Sequence, residues 1–148
     1  MKGEENMLKK VIKFTDYNGV EREGTYHFNL TKAELMEMEM SEVGGFAEMV
    51  QRIIDAQDTP TLVKIFKEFI LKAYGEKTPD GMGFMKFDEE GRPLSRKFAQ
   101  TEAYSELFMK LATDAEAAAA FINGVVPAEV AKEAAKQADI KAFAPAAN

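Results

Sequence analysis

The dipeptide Asn18-Gly19 sits between two stretches of alternating apolar and polar residues, and nothing else in the chain constrains its fold as tightly. A two-residue type I′ turn needs positive φ at both central positions, which Asn and Gly supply at least cost. Residues 8–17 (LKKVIKFTDY) and 20–30 (VEREGTYHFNL) are therefore read as the arms of a β-hairpin. In the first arm Ile12 and Phe14 alternate with Val11, Lys13 and Thr15. In the second, Tyr26, Phe28 and Leu30 alternate with Thr25, His27 and Asn29. A period of two gives each strand one apolar face. A lone hairpin is marginal in water, so that face must pack on helices or on another chain.

Beyond residue 30 the pattern becomes helical. Thr31-Lys32-Ala33-Glu34 reads as a capping box, in which the Thr hydroxyl accepts from the amide three residues on and Glu reaches back. It opens a helix over 32–40, which Gly44-Gly45 breaks. A helix over 45–57 follows, with Phe46, Met49, Val50, Ile53 and Ile54 on one stripe. Thr59-Pro60 sets an N-cap before Pro and starts a helix over 60–74, whose buried face is Leu62, Ile65, Phe66, Phe69, Ile70 and Ala73. These two amphipathic helices make an αα-hairpin. From 76 to 96 the periodicity fails among Thr78-Pro79-Asp80-Gly81, Glu90-Gly91 and Pro93. This stretch is read as a loop of about twenty residues, long for a compact domain, with a weak strand over 84–87 as the alternative inside it. A helix over 98–112, beginning at Phe98 or Thr101, buries Ala103, Tyr104, Leu107, Phe108 and Leu111. Thr113-Asp114-Ala115-Glu116 reads as a second capping box for a helix over 114–123, closed by Asn123-Gly124, and Pro127 opens a last helix over 127–138. The fold class is α+β: an N-terminal β-hairpin followed by a mainly α-helical domain of five to six helices. A single domain over 8–138 suits a chain of 148 residues. Flexible ends are expected over 1–7 and 139–148.

Composition narrows the function. The chain has no cysteine, which removes disulfides, thiolate nucleophiles and Cys-based zinc sites. The opening MKGEENMLKK has no apolar stretch after its charges, so no secretory signal is expected. No window approaches the roughly 18 apolar residues that span a bilayer. The formal net charge of −6 argues against binding phosphate backbones, which takes clustered Lys and Arg. His27, the only histidine, lies on the polar face of its strand without the partners a triad or zinc site needs. Glu34, Glu37, Glu39 and Glu42 do not share one helical face and are read as solvated. Gly81-Met82-Gly83 is too short to cradle a phosphate and lacks a Walker lysine. No catalytic, cofactor-binding or metal-ligating residue is assigned, and the chain is read as a non-enzyme without a cofactor.

Methionine is the oddity, at nine residues. Met36, Met38 and Met40 fall at alternate positions and cannot all share a helix face, so at least one meets solvent or a partner. Unbranched, polarizable Met adapts to varied apolar surfaces, although filling gaps in a helical core explains it about as well. Phe84, Met85 and Phe87 are large apolar residues in a segment read as a loop. The Ala-rich C-terminal stretch adds Val130 and Ile140. These eight residues are the candidate partner-binding surface.

The segments TDYNGVE, YHFNLTKAELMEME, MVQRIIDAQDTP, IFKEFILKAYGEKTPDG and FAQTEAYSELFMKLATDAEAAAAFINGVVP resemble small proteins of tailed phages and prophages, the tail assembly chaperones encoded beside the tape-measure protein. The resemblance covers nearly all of 8–127 and rests on core and capping positions, not on a catalytic motif. It implies a non-enzymatic helper in the host bacterial cytoplasm. Such a helper coats the aggregation-prone helices of the tape-measure protein until tail-tube subunits polymerise around it. The tape-measure protein, the tail-tube protein and further copies of the chain are then the partners, with no nucleic acid and no membrane. The alternative is a virion structural protein (a head–tail connector, tail-tube or capsid-associated component) that uses the hairpin and helices for subunit contacts.

Overall fold

The computed structural model describes residues 7–38, 45, 48, 51 and 59–128. Strands β1 (Leu8–Thr15) and β2 (Glu21–Phe28) form the expected hairpin, followed by helix α1 (Lys32–Glu37). Helix α2 (Thr59–Ala73) runs directly into β3 (Tyr74–Lys77), and β4 (Phe84–Met85) follows. Helices α3 (Leu94–Ala99), α4 (Glu102–Thr113) and α5 (Ala115–Val125) complete the described fold. It is α+β, with one antiparallel sheet in the order β1-β2-β3-β4.

Register explains which face of the hairpin is buried. Leu8 pairs with Phe28, Lys10 with Tyr26 and Ile12 with Gly24, and this face meets helices α4 and α5. Lys9 opposite His27, Val11 opposite Thr25 and Lys13 opposite Glu23 make the other face, so His27 lies where its strand parity put it. The apolar face therefore packs on the chain's own helices. Phe28, fully buried, is the hub: its ring meets Tyr74, Phe98 and Phe121 at centroid distances of 5.8, 5.8 and 5.2 Å. Tyr74 also stacks on Phe98 at 4.5 Å. Around them lie Leu30, Leu35, Phe66, Phe69, Ile70, Leu107, Leu111 and Ile122. Burying each large apolar side chain contributes about 1.5–3 kcal/mol.

Several boundaries differ from the sequence reading, each for a local reason. The hairpin loop has three residues, not two. The Gly19 amide donates to the Asp16 carbonyl at 3.0 Å, Gly19 sits at φ +82°, and the Asp16 amide donates to the Val20 carbonyl. This is a type I turn closed by a left-handed glycine. Asp16 holds it, because its carboxylate accepts from the Asn18 and Val20 amides and from Arg22. Arg22 first, then the Val20 amide, keep the Asp16 carboxyl below its ordinary range.

The segment 76–96 is not a twenty-residue loop. It contains part of β3, all of β4, a bridge between Phe87 and Pro93, and the start of α3. The turn of the first hairpin recurs at its tip: Gly91 N donates to the Asp88 carbonyl, the Asp88 side chain accepts from the Glu90 and Arg92 amides, and Gly91 has φ +81°. Of the two starts read for the helix ending near 112, Thr101 is the one that forms, and Phe98 belongs to the separate helix α3. Thr101 caps α4 by accepting from the Tyr104 amide and also donates to the Phe98 carbonyl of α3.

The second cap lies one residue later than expected. Thr113 ends α4 with its hydroxyl on the Met109 carbonyl, leaving Asp114 to accept from the Glu116 and Ala117 amides. Helix α5 also continues past Gly124 to Val125. A Cβ on Gly124 would come within 2.9 Å of Leu8 Cδ1, so the glycine permits close approach to β1 and does not stop the helix. The first capping box, by contrast, forms as read, with Thr31 and Glu34 capping each other's amides. Most of the helix read over 45–57, the helix over 127–138 beyond residue 128, and both expected flexible ends lie outside the described residues, apart from Met7.

Candidate functional site

A groove with a cavity of about 560 Å³ opens between α1, α2 and the hairpin that spans Phe87 and Pro93. Glu34, Glu37 and Met38 line it from α1 and its C-cap, and Glu68, Leu71 and Lys72 from α2. Each set has spacing i, i+3, i+4, which puts its members on one side of a helix. Tyr74, Lys86, Phe87, Pro93 and Ser95 close the far side.

Lys86 organises this wall. Its ammonium donates to Glu34 Oε2 at 2.7 Å, to the Lys72 carbonyl at 2.7 Å and to the Asn29 carbonyl at 3.1 Å, so all three protons are used. Lys72 lies in the last turn of α2, where carbonyls lack helical partners and favour a cation. Glu34 works on two sides: Oε1 accepts from the Thr31 amide at 2.9 Å while Oε2 holds Lys86. Burial pushes the Lys86 pKa down, and the Glu34 carboxylate opposes that shift. The Lys86 side chain is 15% exposed and that of Glu34 24%. Glu34 is therefore a structural link between elements and not the solvated carboxylate that helical spacing suggested.

The candidate surface residues divide by position. Met38 packs against the core and lines the groove, and Phe87, 58% exposed, stands at its edge. Met36 projects to solvent at 67% exposure, which answers the parity argument: two alternate methionines take different sides. Met85 is 39% exposed on the short strand β4. Phe84 is half-buried and lies against Gly75, where a Cβ would sit 2.5 Å from its ring, with the Lys86 ammonium 5.7 Å from the ring centroid. Met40, Val130 and Ile140 lie outside the described residues.

The structure brings Met38 and Phe87 to one groove. It adds Leu71, Tyr74 and Lys86, which the sequence reading had not singled out, and Pro93, which it had read only as a breaker of periodicity. The Lys86–Glu34 pair joins residues 52 apart in the chain, and no local signal marks it.

Among the described residues, no group of three or more His, Cys, Asp or Glu could hold a metal ion, and no helix is long and apolar enough to cross a membrane. The groove joins an apolar lining of Met38, Leu71, Tyr74, Phe87 and Pro93 to a charged rim. Such a surface suits binding to another chain.

A family model described as phage tail assembly chaperone matches residues 7–147. No curated protein and no solved structure matches the chain.

Proposed function

The chain belongs to the phage tail assembly chaperone family, and from that premise we propose that it is a non-enzymatic chaperone that binds the tape-measure protein in the host cytoplasm and keeps it soluble while the tail assembles. The observation that carries the reading is the groove between α1 and α2. Adaptable Met38 and half-exposed Phe87 line it together, over an apolar lining that the described residues leave open. Met36 and Met85 extend the proposed contact surface around it, and Met40, Val130 and Ile140 are placed in it on their chemistry alone. A chaperone for long apolar helices needs exposed, adaptable apolar surface, and it needs net charge to stay soluble itself. The chain has both.

Co-expression with the tape-measure protein tests the proposal. A soluble complex of the two is expected. A tape-measure protein that stays insoluble with and without this chain overturns it. Mass spectrometry of purified particles supplies the second readout, because a chaperone leaves the mature virion, whereas a structural component stays in many copies.

A further inference from the structure

We propose that the groove selects a cationic amphipathic helix, one whose apolar face is flanked by lysine or arginine; the inference rests on the client-binding reading above. Among the described residues, five charged side chains line the groove: Glu34, Glu37, Glu68, Lys72 and Lys86. Two of them are already committed, since the Lys86 ammonium is saturated by Glu34 and two backbone carbonyls. Of the described residues, an incoming chain therefore meets Glu37 on α1, Glu68 on α2 and the cation Lys72. Glu37 and Glu68 are exposed and belong to none of the ion pairs among the described residues.

The apolar side chains between these carboxylates suit a basic residue better than an acidic one. A lysine or arginine can lay its aliphatic stem along Met38, Leu71 and Phe87 while its head reaches a glutamate. A glutamate of the same helix has a shorter stem and meets like charge. The net charge of −6 acts in the same sense at longer range, drawing in basic segments and repelling acidic ones. The cavity has room for several side chains from one helix face, so the partner docks a stripe of residues and is not enclosed.

Two synthetic helical peptides of equal length and identical leucine spacing test this, one with lysine and one with glutamate at the polar positions. Binding to the full chain is followed by fluorescence anisotropy. The lysine peptide is expected to bind about tenfold more tightly, and the gap should narrow as salt screens it. The double variant Glu37→Gln, Glu68→Gln should bring the preference to within about threefold, with the melting temperature unchanged because both side chains are exposed. Equal binding of the two peptides, a preference for glutamate, or a preference that survives the double variant each overturns the inference. If the lysine preference is absent while the tape-measure protein still forms a soluble complex, this inference fails and the chaperone reading stands. If neither peptide nor tape-measure protein binds, both fail.

Discussion

Replacing Lys86 with methionine keeps an unbranched stem of similar length and removes only the ammonium. The loss leaves Glu34 Oε2 and the carbonyls of Asn29 and Lys72 without the donor that now meets them at 2.7, 3.1 and 2.7 Å. Breaking a fully buried ion pair from one side costs about 3–5 kcal/mol, and a polar group left unsatisfied costs about 1–3 kcal/mol. Here the pair lines an open groove, with side-chain exposures of 15% and 24%, so water can rehydrate part of what is lost. The expected destabilisation is about 2 kcal/mol, below the fully buried case. With a urea m-value of about 2 kcal/mol/M, that lowers the unfolding midpoint by about 1 M without changing the slope. The double variant Glu34→Gln, Lys86→Met should be more stable than Lys86→Met alone. Glutamine removes the stranded charge and can still serve as the third residue of the capping box. A Lys86→Met midpoint within about 0.2 M of the parent, equivalent to under about 0.5 kcal/mol, would refute the reasoning, as would strictly additive effects in the double variant.

Two other perturbations address the sheet and its aromatic core. Gly75→Ala would place a Cβ 2.5 Å from the Phe84 ring and 2.7 Å from the Met85 carbonyl oxygen, so β4 must shift; a loss of about 1–3 kcal/mol is expected in a thermal melt, and an unchanged melt would contradict the packing described. Burial raises the Tyr74 pKa to about 12 from an ordinary 10, so its contribution to stability is fully present below pH 10 and is lost as pH rises toward 12. The tyrosinate absorbance of the folded chain should accordingly rise late, with a last part that Tyr74→Phe diminishes, and titration of all four tyrosines at the ordinary value would contradict it.

Much of the fold was legible because it follows from local pattern. The two faces of the hairpin, the Thr31 capping box and the buried stripe Phe66, Phe69, Ile70 and Ala73 all form as periodicity and capping predict. The misreadings share a cause. Asp16-Tyr17-Asn18-Gly19 and Asp88-Glu89-Glu90-Gly91 both place Asp at the first and Gly at the fourth position of a type I turn. Attention to Asn-Gly in one case and to scattered breakers in the other hid that shared spacing. Gly124 shows the opposite error: a glycine read as a stop signal makes room for Leu8. The site was legible only in part. Met38 and Phe87 were among the candidate contact residues, but the groove depends on α1, α2 and Lys86 meeting across long stretches of chain, and the triplet Met85-Lys86-Phe87 carries no trace of the three acceptors its lysine finds.

The most direct test of the account is whether one groove residue decides capture of the client. Phe87 is 58% exposed at the groove, so Phe87→Asp should fold and melt like the parent while placing a charge among Met38, Leu71 and Pro93. Co-expressed with the tape-measure protein, the parent chain is predicted to hold it in the soluble fraction as a complex and Phe87→Asp to release it to the pellet. A Phe87→Asp chain that holds the tape-measure protein as well as the parent does would contradict the groove as the binding site.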